Sequence, residues 1–299
     1  MQSLWMLVSC LLFAVMGVCV KFAAQQYGVM ELVFYRGVIG CCGIALFVRM
    51  QGGSLATSVP WLHLRRGAVG TMSLALWLYA TTVLPLGTAM TLNYSSPLFL
   101  AAFSVAAALM ARRPVNWPMA AVVVVGFIGV LLVLQPSFDD AQSNGALAGL
   151  ASGVMAALAF WHVKELARLG EPEWRIVFYF SASGVGLGLI GALTTGFSPH
   201  TLRGVALLLA VGLTATLAQL AMTRAYGRGR TLLAANLQFS AIVFAALLGL
   251  LVFDDRITPP GWLGIVLIIG GGMVATIVSA RRARPGQRVE EIIEPDVEK

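Results

Sequence analysis

The amino-acid sequence predicts an all-α membrane protein with ten transmembrane helices in two inverted five-helix repeats. Long apolar runs fill almost the whole chain, lysine and arginine fall mainly on alternate connections between them, and the sequence matches itself at an offset of 144 or 145 residues. Of the 299 residues, 59% are hydrophobic and only 11% are charged. Soluble domains carry about 25% charged residues. So few charges cannot cover a water-facing surface of this size, so lipid is the solvent for most side chains.

A helix needs about 20 apolar residues to cross the hydrocarbon layer. Ten segments meet or approach that length: 3–23, 31–48, 67–84, 88–110, 117–134, 145–163, 175–195, 202–223, 231–253 and 260–280. The runs are continuous and do not alternate at period two, which excludes a closed barrel. Helices satisfy their own backbone hydrogen bonds, a service lipid cannot provide. The first run, Leu4 to Val20, lacks the basic leader of a signal peptide, since only Met1, Gln2 and Ser3 precede it and Lys21 follows. It reads as the first membrane helix.

Charge orients the bundle. With the N-terminus inside, the cytoplasmic connections and tail hold Arg49, Arg65, Arg66, Arg112, Arg113, Lys164, Arg168, Arg175, Arg228, Arg230, Arg281, Arg282, Arg284, Arg288 and Lys299. The opposite side holds Lys21, Arg203 and Arg256, a split of fifteen against three with Arg36 and Arg224 set aside as intramembrane candidates. Positive-inside bias then puts both termini in the cytoplasm of an inner-membrane protein. The net charge of +7 is therefore a topology signal, and no nucleic-acid partner is expected. Residues 281–299, charged and containing Pro285 and Pro295, read as a disordered tail.

The internal match divides the rest into residues 1–138 and 139–280. Val33-Phe34-Tyr35 aligns with Val177-Phe178-Tyr179, Gly40 with Gly184, and Leu92-Asn93-Tyr94-Ser95 with Leu237-Gln238-Phe239-Ser240. Pro114, Trp117 and Gly126 align with Pro259, Trp262 and Gly271, and Val20-Lys21 aligns with Val163-Lys164 at an offset of 143. Apolar identities are cheap in such a chain, but Asn/Gln, Tyr/Phe, Trp and Pro matches are scarcer. Five helices per repeat is an odd number, so the second repeat enters from the opposite face. Inverted repeats are a recurrent design of secondary transporters, with the substrate site near the midplane between halves.

In Phe34-Tyr35-Arg36-Gly37, Leu64-Arg65-Arg66-Gly67, Leu92-Asn93-Tyr94-Ser95-Ser96-Pro97-Leu98-Phe99 and Gly126-Phe127-Ile128-Gly129-Val130 the sequence resembles the drug/metabolite transporter superfamily, in particular its EamA-type ten-helix permeases. The likeness runs from Leu4 to Ala280. It implies alternating-access transport of a small organic metabolite, the class that includes amino acids, riboflavin and S-adenosylmethionine. It also implies a pathway complete within one chain, hence a functional monomer. The second half has Phe180 where the first has Arg36, so a symmetric role for that arginine is not expected.

Candidate substrate-binding residues are polar or aromatic groups inside spans. Asn93, Ser96, Pro97 and Ser104 share one face of the fourth span, and Pro97 cannot donate to the Asn93 carbonyl. The alternatives are a cavity lining and a packing kink with Asn93 as interhelical glue. Asn236, Gln238 and Ser240 form the comparable group in the ninth span, with Gln219 of the eighth able to join it. Trp77 and Tyr94 supply aromatic walls, whereas Trp5, Trp61 and Trp262 read as interfacial anchors. Arg36, about five residues into the second span, either holds a substrate carboxylate or phosphate or snorkels to the interface, and snorkelling is the simpler account.

All 13 acidic residues fall in loops, helix ends or the tail. A mid-membrane carboxylate, the usual partner of a lipophilic cation, is thus missing, which favours a neutral, zwitterionic or anionic substrate. Gly186-Leu187-Gly188-Leu189-Ile190-Gly191 spells GxGxxG but lies within an apolar span without a preceding strand. Close helix contact through Gly184 and Gly188 explains it better. The sequence has no P-loop, HExxH or GxSxG pattern. Its four cysteines and three histidines give no metal-binding spacing, so no cofactor or metal is expected. A lipid-modifying enzyme would need a reactive interfacial cluster, for which Asp254 and Asp255 are the nearest residues. A non-transporting receptor would need a soluble module, and no segment outside the spans is large enough.

Overall fold

The boundaries of the helices follow from their end residues. In the computed structural model, which describes residues 2–110, 117–134, 140–228, 234 and 237–282, a single 3-10 turn leads into α1 (Trp5–Ala23), followed by α2 (Val29–Met50) and α3 (Pro60–Val83). Next come α4 (Leu86–Asn93), α5 (Ser96–Met110), α6 (Trp117–Leu134), α7 (Asp140–Arg168), α8 (Glu173–Thr195) and α9 (Leu202–Arg228), then α10 (Ser240–Phe253) and α11 (Pro259–Arg282). Pro60 and Pro259 open their helices, where the missing N–H is no loss. Gly28 precedes α2, and the Glu31 carboxylate reaches back to its N–H at 2.9 Å.

Among the described residues, five helices, at 2–23, 29–50, 142–168, 173–195 and 202–228, are long and apolar enough to cross a membrane, and the chain is a multi-pass membrane protein. Three departures from the sequence expectation matter. Helix α3 begins at residue 60, seven residues before the expected 67, which carries His63, Arg65 and Arg66 into the helix. Helix α7 starts earlier and ends later than 145–163. The expected fourth span is two helices, α4 and α5, with a break at Tyr94 and Ser95. Pro97 sits in the first turn of α5, where a missing backbone N–H is no loss. The Ser95 hydroxyl caps the Leu92 carbonyl at 2.6 Å. In the region expected as the ninth span, α10 begins at Ser240, directly after a turn at Phe239.

The main helix contacts are α2 with α8, α3 with α7, α6 with α11 and α1 with α9. Small residues permit the α2–α8 contact: Cβ atoms on Gly37 and Gly188 would lie 2.7 Å from Val185 N and 2.5 Å from Phe34 N. Hydroxyls stitch α1 to α9 and α3 to α7, with Ser9 Oγ donating to Ala218 O at 2.8 Å and Ser73 Oγ to Ser152 O at 2.9 Å.

At one end of the bundle the segment after α8 folds over the start of α2. Ser198 donates through both N–H and Oγ to Glu31, and His200 sits between the Tyr27 and Tyr35 hydroxyls at 3.1 and 3.0 Å. At the other end the segment after α2 folds over the start of α8. Arg175 donates to Ser54 O at 2.9 Å and to Glu171, which also accepts from Thr57 at 2.8 Å and His63 at 3.1 Å. Lys21 pairs with Asp255 at 3.2 Å, and Asp255 also accepts from the N–H of Leu86 at 2.8 Å, tying α1 and the start of α4 to the turn before α11.

Candidate functional site

A cavity of about 80 Å³ lies among α1, α3, α4, α7, α8 and α9. Helix α3 contributes most of one wall through Arg66, Gly70, Ser73, Leu74 and Trp77. Four of these lie at i, i+4, i+7 and i+11, so one helical stripe faces the space. The broken end of α4 adds Met90, Asn93 and Tyr94, while α7 adds Ala156, Ala159 and Phe160. Phe13, Phe180, Gln219 and Met222 close the remainder. Ending α4 at Asn93 frees that side chain from a continuous helix face and turns it toward α7, where Nδ2 donates to Ser152 Oγ at 3.0 Å.

The expected site residues divide into three groups. Trp77, Asn93, Tyr94 and Gln219 line the cavity. Ser96 and Gln238 are buried but do not line it; Ser96 Oγ has no hydrogen-bond partner among the described residues, and Gln238 accepts the Tyr226 hydroxyl. Pro97 is described only in its backbone, and Asn236 lies outside the described residues, as do Arg112 and Asp139.

Arg36 requires a correction. It does not snorkel: it is 3% exposed, and its guanidinium lies 5.0 Å from the centre of the Phe180 ring. It does not line the cavity either. Close packing of α2 on α8 encloses it, so the short route to the interface is shut. Arg66, expected in a cytoplasmic connection, is instead in the second turn of α3, 4% exposed, and stacks on the same ring at 4.3 Å. The sequence held a signal for it. Pro60 marks a helix start, and from there the 66–70–73–77 spacing defines a face. Phe13 and Phe160 were also not singled out, since nothing in their local sequence separates them from ordinary packing residues, and Phe180 was named only as the counterpart of Arg36.

The cavity is rich in donors. Arg66 Nε and Nη1 and Trp77 Nε1 are buried without hydrogen-bond partners among the described residues. No carboxylate is among the lining residues. Gly70 makes room for the guanidinium, because a Cβ there would overlap Arg66 Nη1. Among the described residues, no group of three or more His, Cys, Asp or Glu is placed to hold a metal ion.

The family model for the EamA-like transporter family matches residues 1–135 and again 143–277. The chain is 33% identical over 262 residues to the pseudopaline exporter CntI of Pseudomonas aeruginosa, covering 86% of this chain and 89% of that protein. It is 28% identical over 276 residues to a riboflavin transporter of Vibrio cholerae, covering 89% and 90%. It is 24% identical over 266 residues to an S-adenosylmethionine uptake transporter of Rickettsia bellii, covering 89% of each. A solved crystal structure shares the fold, with a TM-score of 0.66 at 20% identity over 93% of this chain and 98% of that one. Two family matches that together span nearly the whole chain, and relatives that are carriers and not enzymes, lead to one conclusion: this chain belongs to the EamA-like transporter family.

Proposed function

We propose that the chain is a secondary carrier that moves a small organic metabolite across the inner membrane, with both termini cytoplasmic and the substrate held between two inverted halves. The observation that carries this is the cavity itself, enclosed by α1, α3 and α4 of the first half and α7, α8 and α9 of the second. A site walled by both halves is what rocking of one against the other can expose to each face in turn. The named relatives, an exporter of pseudopaline and transporters of riboflavin and S-adenosylmethionine, favour a small-molecule substrate.

Support for the inverted arrangement comes from reciprocity. A two-fold contact repeats itself with the partners exchanged. With an offset of 143 to 145, α1–α9 is the counterpart of α3–α7, and α2–α9 of α3–α8, while α2–α8 and α6–α11 are their own counterparts. Individual groups follow suit. The Ser9–Ala218 and Ser73–Ser152 hydrogen bonds join corresponding positions, although the serine of the first half is the donor in both. Gly40 faces Ser181 as Gly184 faces Gly37, and the Glu31–Ser198 strap mirrors the Arg175–Ser54 strap at the other end. The breaks before Ser96 and Ser240 correspond as well.

A single chain closes this cavity, which supports a functional monomer. The test is flux in proteoliposomes loaded in turn with amino acids, vitamins and nucleosides. Saturable flux of at least one compound is expected, with Asn93→Ala lowering it and Gln238→Ala, away from the cavity, altering it less. Flux no greater than in protein-free vesicles across the panel overturns the carrier assignment.

A further inference from the structure

The cavity holds an unpaired positive charge. Arg66 and Arg36 both stack on Phe180, both are at least nine-tenths buried, and among the described residues neither makes an ion pair. A guanidinium taken out of water without a counter-charge is costly unless something supplies the missing partner. Stacking on an aromatic face offsets only part of that cost, and the two cations repel each other. The orphaned atoms are Arg66 Nε and Nη1, with Trp77 Nε1 on the same stripe of α3, and both residues line the cavity. Arg36 Nε is orphaned too, but it stands away from the cavity as a second source of positive potential.

We infer that this cavity binds the carboxylate of an anionic or zwitterionic metabolite, anchored by the Arg66 fork and the Trp77 indole N–H. This rests on reading the cavity as the transport site and narrows its substrate class. A guanidinium presents paired N–H groups that match a planar carboxylate. A phosphate, with about −1.5 to −2 of charge and three strong acceptor oxygens, needs more donors than one guanidinium and one indole provide in a wall otherwise dominated by Phe13, Leu74, Met90, Phe160 and Met222. Gly70 is part of the site, because any side chain there displaces the guanidinium from its seat.

The experiment uses full-length protein in phosphatidylcholine vesicles, whose headgroup carries no carboxylate. Unfolding midpoints are measured with benzoate, pyruvate, succinate and alanine at tens of millimolar, beside benzamide, pyruvamide, succinamide and alaninamide, and beside inorganic phosphate. At least one acid is expected to raise the midpoint while its amide does not. Arg66→Gln should weaken that acid roughly 10- to 100-fold, Arg66→Lys should restore part of the affinity, and Gly70→Ala should mimic Arg66→Gln with Arg66 still present. The inference is overturned if no acid stabilises, if acid and amide act alike, if phosphate exceeds every acid, or if Arg66→Gln leaves the acid's effect intact. The carrier reading fails separately. Flux that survives in Arg66→Gln beside absent acid protection removes only the carboxylate, whereas absent flux in the unmodified protein removes the carrier.

Discussion

Two glycines of α8, two residues apart, should respond in opposite ways to the same added methyl group. Gly188 is buried against α2, and a Cβ there would lie 2.5 Å from Phe34 N, 2.7 Å from Phe34 Cα and 2.9 Å from Met30 O. All three are backbone atoms, so no rotamer can relieve the overlap. Ordinary contact begins at 3.4 Å, leaving Gly188→Ala about 0.9 Å short of room, and the helices must part. Overpacking of this kind costs about 1–3 kcal/mol, against which the better helix propensity of alanine returns up to about 1 kcal/mol. Gly186 has nothing among the described residues within 4 Å of its Cβ position, so Gly186→Ala retains only the propensity gain. The net expectation for Gly188→Ala is a loss of about 1–2 kcal/mol, a drop of roughly 2–3 °C in unfolding midpoint for a chain of this size. The assay is loss of the monodisperse species on heating in one detergent at one scan rate. Equal shifts in the two variants would show that helix propensity, and not the α2–α8 contact, governs this stretch.

At the end of the bundle near α8, burial raises the Glu171 carboxyl, but hydrogen bonds from Thr57, His63 and Arg175 and the Arg175 charge hold it below the ordinary value of 4.5. A lowered native pKa means stability that is complete above the ordinary value and lost as pH falls through the native one. Glu171→Gln should therefore cost about 1.5–3 kcal/mol at neutral pH, and the gap from the parent should close on acidification, as read by midpoints across a pH series. Asp255→Ala leaves the Leu86 N–H and the Lys21 ammonium without their partner. The expected cost is about 1–3 kcal/mol, of which Lys21→Met in the same chain recovers part, as a double-mutant cycle would measure. In a cysteine-free background, single cysteines at Ser54 and Ser198 should label from opposite faces in intact cells, and labelling from one face removes the inverted arrangement.

Much of the fold was legible because lipid imposes a coarse rule: each apolar run of sufficient length is a helix. The weak point of the fourth span was legible too, since Asn93, Ser96 and Pro97 mark one breakable face, but its division into two helices was not. The role of Gly184 and Gly188 in close helix contact followed from spacing alone and agrees with their positions against α2. The site was only partly legible. Hydropathy assigned Arg65 and Arg66 to a connection because charge and loop usually coincide, yet Pro60 starts α3 early enough to turn Arg66 inward. Arg36 and Gln238 were plausible linings by polarity, but helices from both ends of the chain decide which side of a wall they occupy. That depends on packing between residues more than a hundred positions apart, which no local period encodes.

Arg36 and Phe180, which correspond at an offset of 144, touch each other, so on the proposed arrangement one place where the two halves differ in charge lies on the seam between them. On the proposed arrangement, a perfectly mirrored machine would idle with equal ease towards either compartment. This one carries its electrical burden on a single partner, so its two end positions have unequal self-energies. The empty molecule then has a preferred side on which to wait, set by the protein's own wiring before any gradient is applied.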